Sequence, residues 1–385
     1  MEVAMRKTIE LYIHFPFCAR KCLYCDFLSS VGSKEKIEEY VRALEKEIRA
    51  QDCDCQRRVS SVFFGGGTPS LLEGEQLIGI MTAVRERFLI AEDAEITMEI
   101  NPGTVTKEKL EQYKVAGINR ISFGLQSANN DELQLLGRIH TYEEFLESYR
   151  LARECGFENI NVDLMSAIPN QTWEIFSSSL RSIIALDPEH ISVYSLIIEE
   201  GTPFATMYGE GAPQEKELPS ETEERKIYYE TGKVLEAAGY YQYEISNYAK
   251  EGKECRHNLG YWERVDYLGL GLGSSSLVEN VRFKNTDEWN VYVEHSNELE
   301  VIREEFQTLS TEEQMEEFFF LGLRKKEGIS KKEFQKYFGV DVQSCYGEKI
   351  KKLVEQELLI ETEDKIALTM RGIDVSNRVF VELLY

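Results

Sequence analysis

The chain has 385 residues, 42 % of them apolar, enough for one large domain and a smaller one with ordinary cores and no need of disulfide staples. Its 44 Lys and Arg stand against 68 Asp and Glu, a net charge of −24 that repels polyanions and argues against nucleic acid as a partner. MEVAMRKTIELYIHF offers no apolar run of signal-peptide length, and no later segment nears the ~18 apolar residues of a membrane span, so a cytoplasmic protein is expected. In that reducing compartment the 8 cysteines read as metal-binding or catalytic rather than as a disulfide framework.

The first strand expected is LYIHF, 11 to 15. KEKIEEYVRALEKEIRA then places Ile37, Tyr40, Val41, Leu44 and Ile48 on one helical face. Further strands are expected at VSSVFF (59 to 64), EITMEI (95 to 100), NRISFGL (119 to 125), NINVDLM (159 to 165) and HISVYSLII (190 to 198), each followed by helical sequence. Six βα units with near-continuous apolar strands imply a parallel sheet, either an incomplete barrel or an open doubly wound sheet. Polar and glycine-rich residues collect where strands end, which favours the barrel. Three cysteines follow the first strand, GGGTP the second, Glu99 and Asn101 close the third, Gln126 the fourth, and Asp163 comes late in the fifth. In parallel α/β folds such ends converge on one mouth. The fold expected is therefore α/β, a partial (β/α)6 TIM-like barrel.

Residues 200 to 220 are rich in Gly, Pro and charge and read as a loop, and LGLGLGSSS follows YQYEISNYA further on. From about 300 the pattern is three helices, a hairpin near ETEDK and a final helix, a winged-helix-like α+β domain. The expected division is 1 to 250 for the barrel core, 251 to 300 for a connecting region that contains HNLGYW, and 301 to 385 for the smaller domain. Residues 310 to 385 carry 12 Lys or Arg against 15 Asp or Glu, so packing or partner docking suits this domain better than DNA.

Cys18, Cys22 and Cys25 have the spacing CxxxCxxC. A closed zinc site needs four ligands, with His14 the nearest fourth; an iron-sulfur cluster on three thiolates leaves one iron open for chemistry. GGGTP alone is a turn, since it lacks the GK[ST] of a phosphate loop. CARKCLYC after YIHFPF, together with GGGTP, resembles the radical S-adenosylmethionine (SAM) superfamily. MEINPGT, GINRISFGLQSANNDELQLLGRIH, NVDLMSAIPNQT, YQYEISNYA and HNLGYW extend the resemblance over nearly the whole chain, to the group that contains oxygen-independent coproporphyrinogen III oxidase and the heme chaperone HemW.

That resemblance implies a 4Fe-4S cluster on Cys18, Cys22 and Cys25. It implies SAM bound by Tyr12, Gly66, Gly67, Thr68, Glu99, Gln126, Arg138 and Asp163; read alone, Arg138 and Asp163 each have an ion-paired rim residue as the lesser alternative. The decarboxylating oxidase carries a fourth cysteine two positions after the third, where this chain has Phe27, and a substantial segment before its first strand, where ten residues precede Leu11. HNLGYW, 257 to 262, matches the HNxxYW motif of the HemW group. The implied function is a heme chaperone that binds heme and delivers it to heme-dependent proteins; coproporphyrinogen oxidation is the alternative. No catalytic residue is assigned.

His257 is the candidate heme ligand and Cys255 its rival, because on an extended strand the two face the same side. Tyr194 and Tyr243 are further candidates. The remaining cysteines, Cys53 and Cys55 included, have no assigned role. Heme and heme-accepting proteins are the implied partners; peripheral membrane contact and a homodimer stay open.

Overall fold

The computed structural model describes residues 8 to 52 and 54 to 384. Six parallel strands, β1 (Thr8–Phe15), β2 (Asp54–Gly66), β3 (Phe88–Ile100), β4 (Arg120–Gln126), β5 (Ile160–Ser166) and β6 (His190–Ser195), lie side by side in chain order. The order never doubles back, which rules out the doubly wound sheet and gives the partial barrel. The antiparallel pair β7 (Tyr241–Gln242) and β8 (Asn247–Ala249) closes the β6 side.

On the other side β9 (Tyr267–Leu270) joins β1 in parallel, and β10 (Ser275–Val278), β11 (Val281–Asn285) and β12 (Arg303–Thr308) continue antiparallel to make a 12-stranded sheet. LGLGLGSSS falls within this added part of the sheet. It supplies β9, a turn with Gly271 and Gly273 at φ +102 and +67, and the start of β10.

The strands are less uniformly apolar than six near-continuous runs would be; they alternate. Leu11, Ile13 and Phe15, with Val62, Phe64, Ile96, Met98, Ile121, Phe123, Val162 and Ile191, form one large core with the surrounding helices. Each buried side chain of this size contributes roughly 1.5–3 kcal/mol. Every second residue turns the other way and is polar or aromatic. Paired register stacks these into layers: Glu10, Ser61 and Glu95; Tyr12, Phe63, Thr97 and Arg120; Glu99, Ser122, Asn161 and His190; then Asp163 beside Ser192.

Helices α1 (Lys34–Ala50), α2 (Gly74–Arg87), α3 (Lys107–Ala116), α4 (Tyr142–Glu154), α5 (Trp173–Ile184) and α6 (Glu221–Ala237) pack outside this sheet. Ser33, Thr106, Thr141 and Ser220 start four of them by accepting a hydrogen bond from the backbone N–H three residues on. The smaller domain has its own core, Met315 to Leu383, on α8 (Thr311–Gly322), α9 (Lys331–Phe338), α10 (Val342–Glu355) and a three-stranded sheet. Helix α7 (Arg256–Trp262) lies between barrel and tail and packs on both β2 and α8.

Candidate functional site

The strand ends converge as expected. A cavity of about 430 Å³ opens at the C-terminal mouth of the barrel and is lined by Cys18, Cys22 and Cys25 and by Tyr12, Gly66, Gly67, Thr68, Glu99, Gln126, Arg138 and Asp163. The three cysteines are free and half-buried. Burial raises the Cys25 thiol, and the neighbouring Cys22 and Cys18 raise it further. A positively charged iron core would offset that burial and repulsion at Cys25, and three sulfur donors suit it.

No group of three or more His, Cys, Asp or Glu among the described residues is arranged to hold a single metal ion. His14 is not a fourth zinc ligand here: its Nε2 lies 2.9 Å from the Leu28 carbonyl and its Nδ1 3.1 Å from the Tyr12 hydroxyl, which uses both ring nitrogens. Cys53 and the Cys55 side chain lie outside the described residues.

The turn after β2 requires glycine. Gly66 holds φ +107, and a β-carbon there would stand 2.5 Å from the His14 ring. One on Gly67 would stand 2.5 Å from the Phe17 carbonyl oxygen, because the Gly67 and Thr68 amides hydrogen-bond to the Phe15 and Phe17 carbonyls at 2.7 Å. Backbone here forms the cavity wall, a cradle for an extended polar ligand.

Arg138 donates to Asn101 Oδ1 at 2.7 Å, to the Gly124 carbonyl at 2.5 Å and to Cys22 Sγ at 3.4 Å, while its buried Nε has no partner among the described residues. Asn101 in turn donates to Thr68 at 2.8 Å. Arg138 thus stands beside the thiols with donor capacity left for a carboxylate. Burial and the nearby Asp163 charge push Glu99 up to about 8, against a Gly66 amide bond that favours the anion. A cationic ligand would restore its charge. Asp163 accepts from Asn161 at 2.7 Å and Ser122 at 3.3 Å, and burial raises it as well. Gln126, at φ +77, is a strained residue on this wall.

Beneath the cavity lies a polar floor the sequence reading missed. Arg120, 2 % exposed, has its Nε 4.0 Å from Glu95 and no hydrogen bond at that atom among the described residues. Asn161 bridges Ser122 (2.7 Å), Ser192 (3.1 Å) and His190 (2.6 Å). The signal was the polar residue at every second strand position.

HNLGYW is helix α7 rather than strand, with Cys255 at its N-cap, which separates the two rival ligands. Cys255 is fully buried, its Sγ 3.4 Å from Glu95, and it lines neither cavity described here. Tyr243 is also behind the wall, hydrogen-bonded to His190 at 2.8 Å, whereas Tyr194 lines the mouth.

His257 reaches the cavity wall but is 1 % exposed, stacked on Phe63 at 5.0 Å. Its Nδ1 meets Ser61 at 2.8 Å and its Nε2 the Tyr261 hydroxyl at 3.1 Å. Burial and then the Arg120 charge bring it down to about 3, so the ring is neutral, as a metal ligand must be.

A second cavity of about 600 Å³ shares Tyr12, Phe27, Gly66, Glu99 and Tyr261 with the first and extends under the tail. Trp262, Arg264, Tyr267, Arg282, Phe320 and Leu321 complete much of its wall.

Three thiols at the mouth of an open parallel barrel, beside a turn that only glycine permits, place the chain in the radical SAM class. The Radical SAM superfamily model accordingly matches residues 12–183, and the HemN C-terminal domain model matches 309–375. Curated proteins named heme chaperone HemW are similar over nearly their whole length: that of Lactococcus lactis is 34 % identical across 99 % of this chain and 98 % of its own, and that of Bacillus subtilis 38 % across 96 % and 97 %. The chain belongs to the HemW family. Among solved structures, coproporphyrinogen III oxidase (HemN) from Escherichia coli superposes with a TM-score of 0.83 over 98 % of this chain and 90 % of that one, at 24 % identity, a likeness of fold.

Proposed function

We propose that this protein is a heme carrier of the HemW type, binding heme and passing it to heme-dependent proteins from a barrel that also holds a 4Fe-4S cluster and SAM. The observation that carries the reading is the full-length similarity to proteins named heme chaperone. Phe27 in place of the oxidase's fourth cysteine supports it, as do Tyr261 and Trp262 of HNLGYW on the wall of the second cavity.

In this reading Cys18, Cys22 and Cys25 hold the cluster, and Tyr12, Gly66, Gly67, Thr68, Glu99, Gln126, Arg138 and Asp163 hold SAM. Together those groups supply one-electron chemistry at the SAM sulfonium. The protein's own part is positional: Arg138 neutralises a carboxylate beside the thiolates, Glu99 and Asp163 accept from an ammonium or from hydroxyls, and the glycine turn admits the backbone at close range. His257 would hold the heme iron through Nε2, the atom now capped by the hydroxyl of Tyr261, a residue that lines both cavities.

The test is an anaerobic hemin titration read at the Soret band. Wild type is expected to bind, His257→Ala to bind at least tenfold more weakly, and Tyr261→Phe, which frees Nε2, to bind more tightly. An unchanged His257→Ala spectrum would shift ligation to a tyrosine such as Tyr194. Conversion of coproporphyrinogen III to protoporphyrinogen by the reconstituted protein would overturn the carrier reading in favour of the oxidase.

A further inference from the structure

The second cavity has one polar end. There Glu317, on α8 of the tail and 6 % exposed at its side chain, lies between two guanidiniums of the barrel sheet and its α7 connection. Its Oε2 accepts from Arg264 Nε at 2.9 Å and its Oε1 from Arg282 Nη2 at 2.5 Å. The chain itself therefore shows that this corner accepts a carboxylate.

Two positive charges face that single negative one. The neighbouring acids are answered elsewhere: Glu263 by Lys325 at 2.9 Å and Asp266 by Arg57 at 3.2 Å. Glu313 also faces Arg282, but its carboxylate accepts from the Ser310 amide at 2.7 Å and from Gln307 at 2.9 Å, so Arg282, 42 % exposed at its side chain, stays accessible to a further anion. Arg264 takes up its place at φ +54, a conformation unfavourable to a residue with a β-carbon and held by its surroundings.

The rest of the cavity has the opposite character. Tyr12, Phe27, Tyr261, Trp262, Tyr267 and Phe320 give it aromatic walls, and Phe27 is 61 % exposed. Trp262 Nε1 is buried with no hydrogen-bond partner among the described residues. A volume of about 600 Å³ lies within the roughly 300–1,000 Å³ of sites that enclose a whole small molecule. Flat aromatic walls with paired cations at one end match a planar macrocycle whose carboxylates project from one edge.

We infer that this second cavity is the heme seat, the macrocycle lying among the rings and its propionate carboxylates at Arg264 and Arg282, one of them in the position now held by Glu317. The inference rests on the carrier function proposed above and adds the location, the anchors and the internal competitor. In the ligand-free chain Glu317 occupies the anchor, so loading exchanges an internal carboxylate for an external one.

Hemin and hemin dimethyl ester have the same iron and macrocycle and differ in the free carboxylates. Wild-type protein is expected to bind hemin at least tenfold more tightly than the diester. Arg282→Gln is expected to cut that preference below threefold, and Glu317→Gln to tighten hemin several-fold while leaving the diester unchanged, since a neutral amide competes less well for guanidinium. Equal binding of hemin and diester by wild type overturns the inference whatever the variants do. So does a tenfold preference that survives in folded Arg282→Gln. Failure to bind either compound sinks the carrier function itself, which keeps the two failures distinct.

Discussion

Glu244 is 1 % exposed beneath the tail, where its backbone bridges Lys325, and burial pushes its carboxyl up to about 7 despite a hydrogen bond from the Ser246 amide at 3.1 Å. A native pKa above the unfolded value means that, as pH rises past about 4.5, the unfolded chain releases a proton that the native one keeps until about 7. Stability therefore falls across that window and levels off above it. Glu244→Gln keeps the acceptor for Ser246 and removes the titration. Urea titrations should show equal stability near pH 4.5 and a variant more stable by about 3 kcal/mol at pH 8; parallel pH profiles would refute the assignment. Legibility at this scale divided by chemistry. Three cysteines within eight positions announce themselves, whereas Ser122 and Asn161 show in the sequence only as polar positions of alternating strands, and register is needed to bring the two together.

Among the elements, the six barrel strands were legible in place and type, whereas β9 to β12 and the segment around HNLGYW were not. A seven-residue helix gives too few turns for periodicity, and Cys255 offers no side-chain cap hydrogen bond to mark its start. Helix α8 is the contrary case. Ser310 accepts from the Glu313 amide at 3.2 Å, and the Glu313 carboxylate accepts from the Ser310 amide at 2.7 Å, a reciprocal cap readable in the sequence STEE. This helix sets Met315 and Phe319 in the tail core and holds Glu317 against the barrel arginines. Ser310→Ala should cost about 1 kcal/mol in denaturant unfolding, and Ser310→Asn should restore most of it. An alanine variant with wild-type stability would mean that tertiary packing alone holds the helix.

For the whole molecule, the composition that argued against polyanion partners also predicts how the fold responds to its solvent. A net charge of −24 leaves 68 acidic side chains facing 44 basic ones, and pairs such as Arg150 with Glu147 and Glu154, or Lys352 with Glu382, neutralise only part of it. Exposed pairs of this kind are individually worth about 0–1 kcal/mol. Their loss on screening is small beside relief of repulsion spread over the entire surface. Salt shortens the Debye length from about 30 Å at 0.01 M to about 8 Å at 0.15 M, which removes repulsion between distant carboxylates first and contacts under 4 Å last. The Tm of the cluster-free chain should therefore rise by a few degrees as sodium chloride goes from about 0.01 to 0.15 M at pH 7.5, each kcal/mol of relief moving it by less than about 4 °C at this chain length. Far-UV circular dichroism melts read the effect directly. A flat or falling Tm would show that local ion pairs outweigh the net charge, and the acidic surplus would then need a structural account of its own.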